Sequence, residues 1–373
     1  MEFFKADNSH ALEAKYKANK IAFGPVAFQA ARLLRNFGII KAVLESKEKG
    51  MTVEEVSQKL NLPLYGVKVL MEAGLGMEVF YWREETKKYI ATKVGYYLVS
   101  DDITRVNLDF VHDVCYEGLF FLEEAILEGK PAGLKVFGNW PTVYEALSQL
   151  PPKVQESWFA FDHYYSDQAW GEVLPIVFAR NPKKIMDIGG NTGKWSIACC
   201  KYSDTIKMTI LDLPGQLAMA KENIKKNGFE GRIDTFPINI LDSSQKFPKG
   251  HDAIWMSQFL DCFSKEEIVH ILKRAHEAID DDGVVYILET YWDRQRFEAS
   301  SYCLQQTSLY FTCIANGNSQ MYHSDDMLEC LDKAGLYMEE MIDDIGISHT
   351  LMACRKKGSE SANAKKEAVA VKK

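Results

Sequence analysis

The stretch KKIMDIGGNTGKW, Lys183 to Trp195, limits what this chain can become more than any other. An apolar run of strand length enters a glycine turn and a helix-compatible segment leaves it, the strand, turn and helix that open a doubly wound α/β sheet. Gly189, Gly190 and Gly193 let another group approach the backbone without meeting a Cβ, and Asn191 is the non-glycine residue that best tolerates positive φ. Two phosphate-binding readings of the turn fail on residue identity. A dinucleotide fingerprint begun at Gly189 needs glycine at Asn191 and Lys194, and a phosphate loop needs glycine at Ile188 and Ser or Thr at Trp195. What fits is a ligand with adenosine and amino-acid parts and no pyrophosphate. The next strand ends TILDLPG and puts Asp212 19 residues after Gly193, where a carboxylate accepts both ribose hydroxyls. An acid at a strand end is by itself commonly a solvated cap. Glycine turn and acid at matched strand ends are together far more specific.

After Pro182 strands and helices alternate. Strands are predicted at 184–188, 207–213, 232–239, 252–259, 284–290, 337–342 and 349–355, and the last two are close enough to pair as a hairpin. Amphipathic helices separate most of them, including one that starts with the capping box Ser264 to Glu267. Five alternating units imply a mainly parallel sheet with right-handed crossovers, so ligands should bind beyond the carboxyl ends of its strands.

The N-terminal part reads differently. Apolar residues from Ala27 to Lys47 follow helical spacing with an interruption at Gly38, Thr52 and Glu55 form a capping box, and a second helix is predicted over 64–73. Two short strands around the turn REETKK complete a winged helix. That motif invites a DNA-binding reading, but residues 1–115 carry 16 Lys plus Arg against 15 Asp plus Glu, and the net charge of the chain is −8. Phosphate neutralisation needs a concentrated positive surface, so the region reads as a packing and dimerisation module and no nucleic-acid partner is expected. Long helices are predicted to follow to about Phe178, with an aromatic stretch from Ser157 to Trp170 that suits a core or the wall of a substrate pocket.

Eight cysteines without a CxxC pair suit neither a zinc site nor a disulfide framework, and no metal site is expected. Neither a signal peptide nor a run of roughly 20 apolar residues is visible, which predicts a cytoplasmic protein without a membrane partner. The predicted division is a dimerisation domain over 1–115, connecting helices over 116–178, a ligand-binding Rossmann-like domain over 179–356 and a polar tail over 357–373.

These motifs resemble those of the O-methyltransferases typified by plant caffeate and isoflavone enzymes, animal acetylserotonin methyltransferase and bacterial polyketide-tailoring relatives. The family's DxGGGxG, DLP, GDMF and LHDW correspond here to DIGGNTG, DLP, INIL and LDCF. The resemblance covers nearly the whole chain and implies a seven-stranded Rossmann-like methyltransferase sheet behind a helical dimerisation domain. It implies S-adenosylmethionine as cofactor, S-adenosylhomocysteine as product, a small aromatic substrate and a homodimer paired through the helix that carries Phe28, Leu34 and Ile39. Asp187 and the turn Gly189, Gly190, Asn191 and Gly193 would contact the methionyl part, Asp212 the ribose, Leu213 one adenine face, and Asn239 and Ile240 the adenine edge. Ser257 falls where many plant members have a lysine near the cofactor, and Tyr165 where a methionine usually lies against the methyl donor.

The departures lie at the catalytic base. Asp261 stands where the family has its histidine, and Tyr322 stands where one bracing glutamate is expected, while a second bracing glutamate is kept as Glu289. An aspartate with an ordinary pKa of ~3.9 is a poor base for a phenol near 10, unless burial raises it. Otherwise the acceptor is already acidic, or is a ring carbon, or His163 or His323 serves as base with Asp261 orienting it. The leading reading is methyl transfer to a hydroxylated aromatic or polyketide-like acceptor at oxygen. The alternatives are carbon methylation or a drift to cofactor-assisted hydroxylation or decarboxylation, and a winged-helix regulator that senses the cofactor.

Overall fold

The computed structural model describes residues 4–166 and 168–358. Of the predicted tail only Lys357 and Gly358 fall among them; the rest lies outside the described residues. The chain forms two compact units, one holding the residues up to Val114 with Glu156–Phe161, the other Cys115–Gln155 and the chain from Asp162 onward.

In the first unit helices α1 (Ala11–Ala22), α2 (Gly24–Asn36), α3 (Ile39–Glu45), α4 (Val53–Leu60) and α5 (Leu64–Gly76) precede a hairpin of β1 (Phe80–Arg83) and β2 (Lys88–Ala91). Gly38 separates α2 from α3, because its φ of 77° is open to glycine and strained for most other residues. The capping box forms as expected: Thr52 Oγ1 accepts from the Glu55 N–H at 3.2 Å, and Glu55 Oε2 accepts from the Thr52 N–H at 2.8 Å. On α5 the ammonium of Lys68 lies 3.9 Å from the Glu72 carboxylate, so the helix presents a compensated pair and no positive patch. One expectation needs correction. Leu34 and Ile39 are fully buried in this unit's own core with Ile40, Val43 and Met71, so they are not available to face a second copy. Every residue of α1 is exposed or nearly so, and Leu12, Ile21, Phe23 and Val26 are the apolar side chains left in solvent.

The predicted long helices are short. Helical runs break at 100–101, where Asp101 accepts from the Thr104 N–H at 3.0 Å and starts a new helix, and again near Gly129, Pro131 and Gly133. Asp102–Phe110 continues as a π-helical turn to Cys115, and Pro152–Ser166 and Trp170–Phe178 also run on, the last around an internal Pro175.

The second unit is built on a seven-stranded sheet of β3 (Lys184–Ile188), β4 (Lys207–Asp212), β5 (Ile233–Pro237), β6 (His251–Ser257), β7 (Ile279–Glu289), β8 (Leu336–Ile345) and β9 (His349–Lys356). All seven predicted strands form. Their order is β5-β4-β3-β6-β7-β9-β8, parallel except for β9, which lies antiparallel to both neighbours. Both faces are covered by apolar clusters, one around Met186, Ile254 and Ile271, the other around Ile185, Met208 and Trp255. Such a sheet has near-continuous apolar strands. The chain order reverses between β3 and β6, and that switch point is where an open α/β sheet leaves a crevice.

Candidate active site

A cleft opens at the switch point. The turn after β3 supplies Gly189, Gly190, Asn191 and Thr192, the end of β6 supplies Ser257 and Gln258, Asp162, Asp187 and Lys194 bring charge, and His163 adds an imidazole. Trp195 and Trp255 stack at 4.1 Å between centroids and wall one side. Asn191 adopts φ 47°, the left-handed conformation its side chain tolerates, and this points its N–H at Asp212 Oδ2, 2.8 Å away. Asp212 Oδ1 accepts from the Leu213 N–H at 2.7 Å, so the carboxylate is held by backbone on both oxygens while keeping lone pairs for a ligand. Burial raises the Asp212 carboxyl against those two hydrogen bonds.

The glycines have a further requirement besides the one anticipated. A Cβ on Gly189 would stand 2.3 Å from the Phe259 ring, and one on Gly190 would stand 2.7 Å from Ile210 and 2.8 Å from Asp187. Packing against β4 and the loop after β6 excludes side chains there.

The cleft's charges suit a zwitterionic ligand. Asp187 is 2% exposed, accepts from Ser196 Oγ at 2.6 Å, and burial pushes its carboxyl up to about 7. A buried acid of this kind is stabilised by an ammonium and repels a phosphate. Lys194, whose ammonium lies 3.3 Å from His163 Nδ1, provides the positive side for a carboxylate. Trp195 Nε1 is a buried donor without a partner among the described residues. Asp212 for ribose hydroxyls, Asp187 for an α-amino group and Lys194 for an α-carboxylate are the donor and acceptor set that S-adenosylmethionine needs, so the residues fit that cofactor.

A second cluster centres on Asp261, in the 3₁₀ turn Leu260–Cys262 that follows β6. Asp261 is 8% exposed, and burial, with the negative charge of Asp162 adding to it, pushes its carboxyl up to about 7. Its hydrogen-bond partner is the Cys262 thiol at 3.5 Å. The turn is pinned from three elements. Glu289 Oε1, at the end of β7, accepts from the N–H groups of Phe259 and Leu260 at 2.9 and 2.8 Å. Asn316 donates to the Cys262 carbonyl at 2.6 Å, and the Tyr322 hydroxyl donates to the Phe263 carbonyl at 2.6 Å. Burial and then the nearby Asp261 charge raise the Glu289 carboxyl far above the ordinary range, and its Oε2 has no partner among the described residues.

Of the residues anticipated for the cofactor, Asp187, Gly189, Gly190, Asn191 and Ser257 line the cleft, and Asp212 joins it through Asn191. Gly193, with φ 76°, caps the helix Lys194–Tyr202 behind the turn. Leu213 is exposed, and Asn239 turns its side chain onto the Leu241 N–H. Ile240 is buried and lends its carbonyl to Arg274. Tyr165 is buried on the helix that carries Asp162 and His163. The candidate bases separate. His163 lines the cleft beside Lys194, whereas His323 is the N-cap of the helix Ser324–Lys333, where its Nδ1 accepts from the Asp325 N–H at 3.0 Å. An imidazole nitrogen committed to a helix N-terminus is not available to take a substrate proton, so His323 is structural. Tyr322 holds the turn's backbone and makes no hydrogen bond to Asp261 among the described residues. Asp162, Lys194, Trp195 and Gln258 were not anticipated; only the φ of 46° at Gln258 marks its loop as unusual, and no sequence signal announces that.

Residues 122–336, more than half of the chain, match the family described as the O-methyltransferase domain, and residues 15–89 match the Dimerisation2-like domain. This chain belongs to the O-methyltransferase family. It is thereby an S-adenosylmethionine-dependent methyltransferase. It is similar to the L-tyrosine C(3)-methyltransferase of Streptomyces lavendulae, 24% identical over 86% of each chain. The 3-hydroxy-5-methyl-1-naphthoate 3-O-methyltransferase of Streptomyces sahachiroi is 33% identical over 30% of this chain and 32% of its own. Among solved structures the S-adenosylmethionine-dependent methyltransferase SibL superposes with a TM-score of 0.69 at 21% identity, covering 91% of this chain and 98% of its own. The O-methyltransferase NcsB1 in complex with S-adenosylmethionine and 2-hydroxy-5-methyl naphthoic acid gives 0.64 at 18% identity, over 94% of this chain and 100% of its own. No helix among the described residues is long and apolar enough to cross a membrane.

Proposed function

We propose that this enzyme methylates a small hydroxylated aromatic acceptor at oxygen, with Asp261 as the base that takes the hydroxyl proton. The observation that carries this reading is the burial of Asp261 in a turn without a cationic partner, which pushes its carboxyl up to about 7. A base works best when its pKa lies near the operating pH, and an aspartate at its usual value is too weak for a phenol. Here burial supplies what the missing histidine does elsewhere in the family. S-adenosylmethionine, when bound, supplies an electrophilic methyl group on a positive sulfur. The chain's own part is alignment and proton removal: Asp187, Asp212 and Lys194 fix the cofactor, and Glu289, Asn316 and Tyr322 fix the turn that presents Asp261. Glu289 holds that turn through both N–H groups, with burial pushing its carboxyl upward. The names of the relatives above support an aromatic acceptor.

A second reading keeps the phenol and moves the methyl group to carbon. It is favoured by the tyrosine C(3)-methyltransferase, which matches 86% of this chain. Removing a phenol proton loads the ortho carbon as well as the oxygen, so one base serves both outcomes. Incubation with S-adenosylmethionine and a panel of naphthols, catechols and tyrosine, read by S-adenosylhomocysteine release and by the carbon shift of the transferred methyl, decides between them. A methyl resonance in the methoxy range supports oxygen; an aryl-methyl resonance overturns it in favour of carbon.

The enzyme works as a two-fold dimer in this reading, through α1 and the start of α2. The Dimerisation2-like match and the exposed Leu12, Ile21, Phe23 and Val26 support it. Light scattering at micromolar concentration should return about twice the 42.4 kDa of one chain, and a value near 42.4 kDa overturns the dimer.

A further inference from the structure

Tyr144 sits on the short helix Val143–Ala146, in a stretch without any recognised motif. Its hydroxyl is shielded from solvent and finds no oxygen or nitrogen acceptor among the described residues. The group lies beside the Cys262 thiol, a weak acceptor, and Tyr310, close enough to Asp261 to feel its charge. A buried hydroxyl with only a thiol for partner is poorly satisfied, and natural structures keep such groups rarely and where a ligand or water completes them. The neighbours of this one are the turn that carries the proposed base. Burial holds the phenol protonated, so Tyr144 is a neutral donor, unable to compete with Asp261 for a proton.

We propose that Tyr144 is a further catalytic residue that donates a hydrogen bond to the acceptor's oxygen while Asp261 takes its proton. This rests on the reading of Asp261 as base. An acceptor hydroxyl has one proton and two lone pairs. In the transfer the O–H bond breaks and its proton passes to the Asp261 carboxylate, one lone pair forms the new O–CH₃ bond, and the S–CH₃ bond breaks with its electron pair left on sulfur. The second lone pair accepts from Tyr144, which keeps its proton throughout. Two fixed partners on one oxygen define the direction of the attacking lone pair, which a single contact to Asp261 does not.

The test uses 4-fluorophenol and fluorobenzene as probes, titrated into the full chain saturated with S-adenosylhomocysteine and followed by fluorine NMR. The wild-type chain should bind 4-fluorophenol at least about tenfold more tightly than fluorobenzene. Tyr144→Phe should remove most of that preference while leaving fluorobenzene binding, S-adenosylhomocysteine affinity and thermal stability unchanged. A merely structural role for Tyr144 does not move the ratio of the two probes, so an unchanged ratio in Tyr144→Phe overturns the proposal. A preference abolished by Asp261→Asn but kept in Tyr144→Phe overturns it and leaves the base standing. Equal binding of both probes by the wild-type chain, or binding of neither, overturns both.

Discussion

Replacing Asp261 with Asn removes a proton acceptor and keeps the side chain's shape, so it separates catalysis from packing. If Asp261 is the base, turnover should fall by about 10²- to 10⁴-fold, the usual cost of losing general-base catalysis. S-adenosylhomocysteine affinity should not change, because the proposed partners of the cofactor are Asp187, Asp212 and Lys194. The wild-type profile of kcat/KM should rise with pH through about 7, where burial places this carboxyl, since the ionised form is the active one. That rising limb should vanish in Asp261→Asn. Stability should move the other way. Asp261 has a folded-state pKa raised from 3.8 to about 7, so between those values the folded chain binds more protons than the unfolded one, and stability falls as pH rises. At about 1.4 kcal/mol per pH unit this costs the wild type roughly 4 kcal/mol by pH 8, an upper bound that relaxation and water entry reduce. Asp261→Asn should escape that cost, gaining stability over the wild type at pH 8 and differing little at pH 4. Urea unfolding at both pH values and a steady-state rate profile measure the two effects. Wild-type turnover in the folded variant, or a rate profile whose limb near 7 survives the substitution, refutes the assignment.

Two more substitutions test the frame around the base. Asp212→Ala should weaken S-adenosylmethionine binding at least tenfold, about 1.4 kcal/mol, because it removes both the ribose acceptor and the partner of the Asn191 N–H; unchanged affinity by calorimetry excludes this carboxylate from the site. Glu289→Gln should keep near wild-type stability and most activity, since a neutral amide oxygen still accepts from the N–H groups of Phe259 and Leu260. Glu289→Ala should cost about 1–3 kcal/mol for each buried N–H left unpaired and lower kcat more than cofactor affinity; equal behaviour of the two variants in denaturant and in turnover sinks the clamp role.

The sheet was readable because its strands are buried on both faces and so appear as apolar runs of fixed length, with glycine or asparagine where φ turns positive. Asn191 is the clearest case: its identity, its φ of 47° and its place in the cleft all follow from one motif. The same reading missed a second cause at Gly189, because a sequence does not show that Phe259, 70 positions later, fills the space a Cβ would need. It mistook Leu34 and Ile39 for a dimer face, because helical periodicity marks a buried stripe without saying whether the partner is the same chain or another copy. His323 was a plausible base on composition alone. Only the position of the following helix start turned its ring nitrogen into a cap.

The chemistry was less legible than the fold for a related reason. In the proposed reading Asp261 is a usable base because burial raises its carboxyl with no cation near it among the described residues, and Glu289 is a clamp because it takes both the Phe259 and Leu260 N–H groups. Both are properties of surroundings assembled from five separate segments, around Tyr144, Asp162, Asp261, Glu289 and Tyr322. A histidine at this position would carry its own suitable pKa and need only orientation. An aspartate needs its environment to do the tuning, so its turn must be held more tightly, and three side chains from different elements pin the backbone from Phe259 to Phe263. The aspartate at this position and the bracing of its turn are thus one physical requirement in this reading, and loosening the brace should cost activity even where the carboxylate itself is untouched.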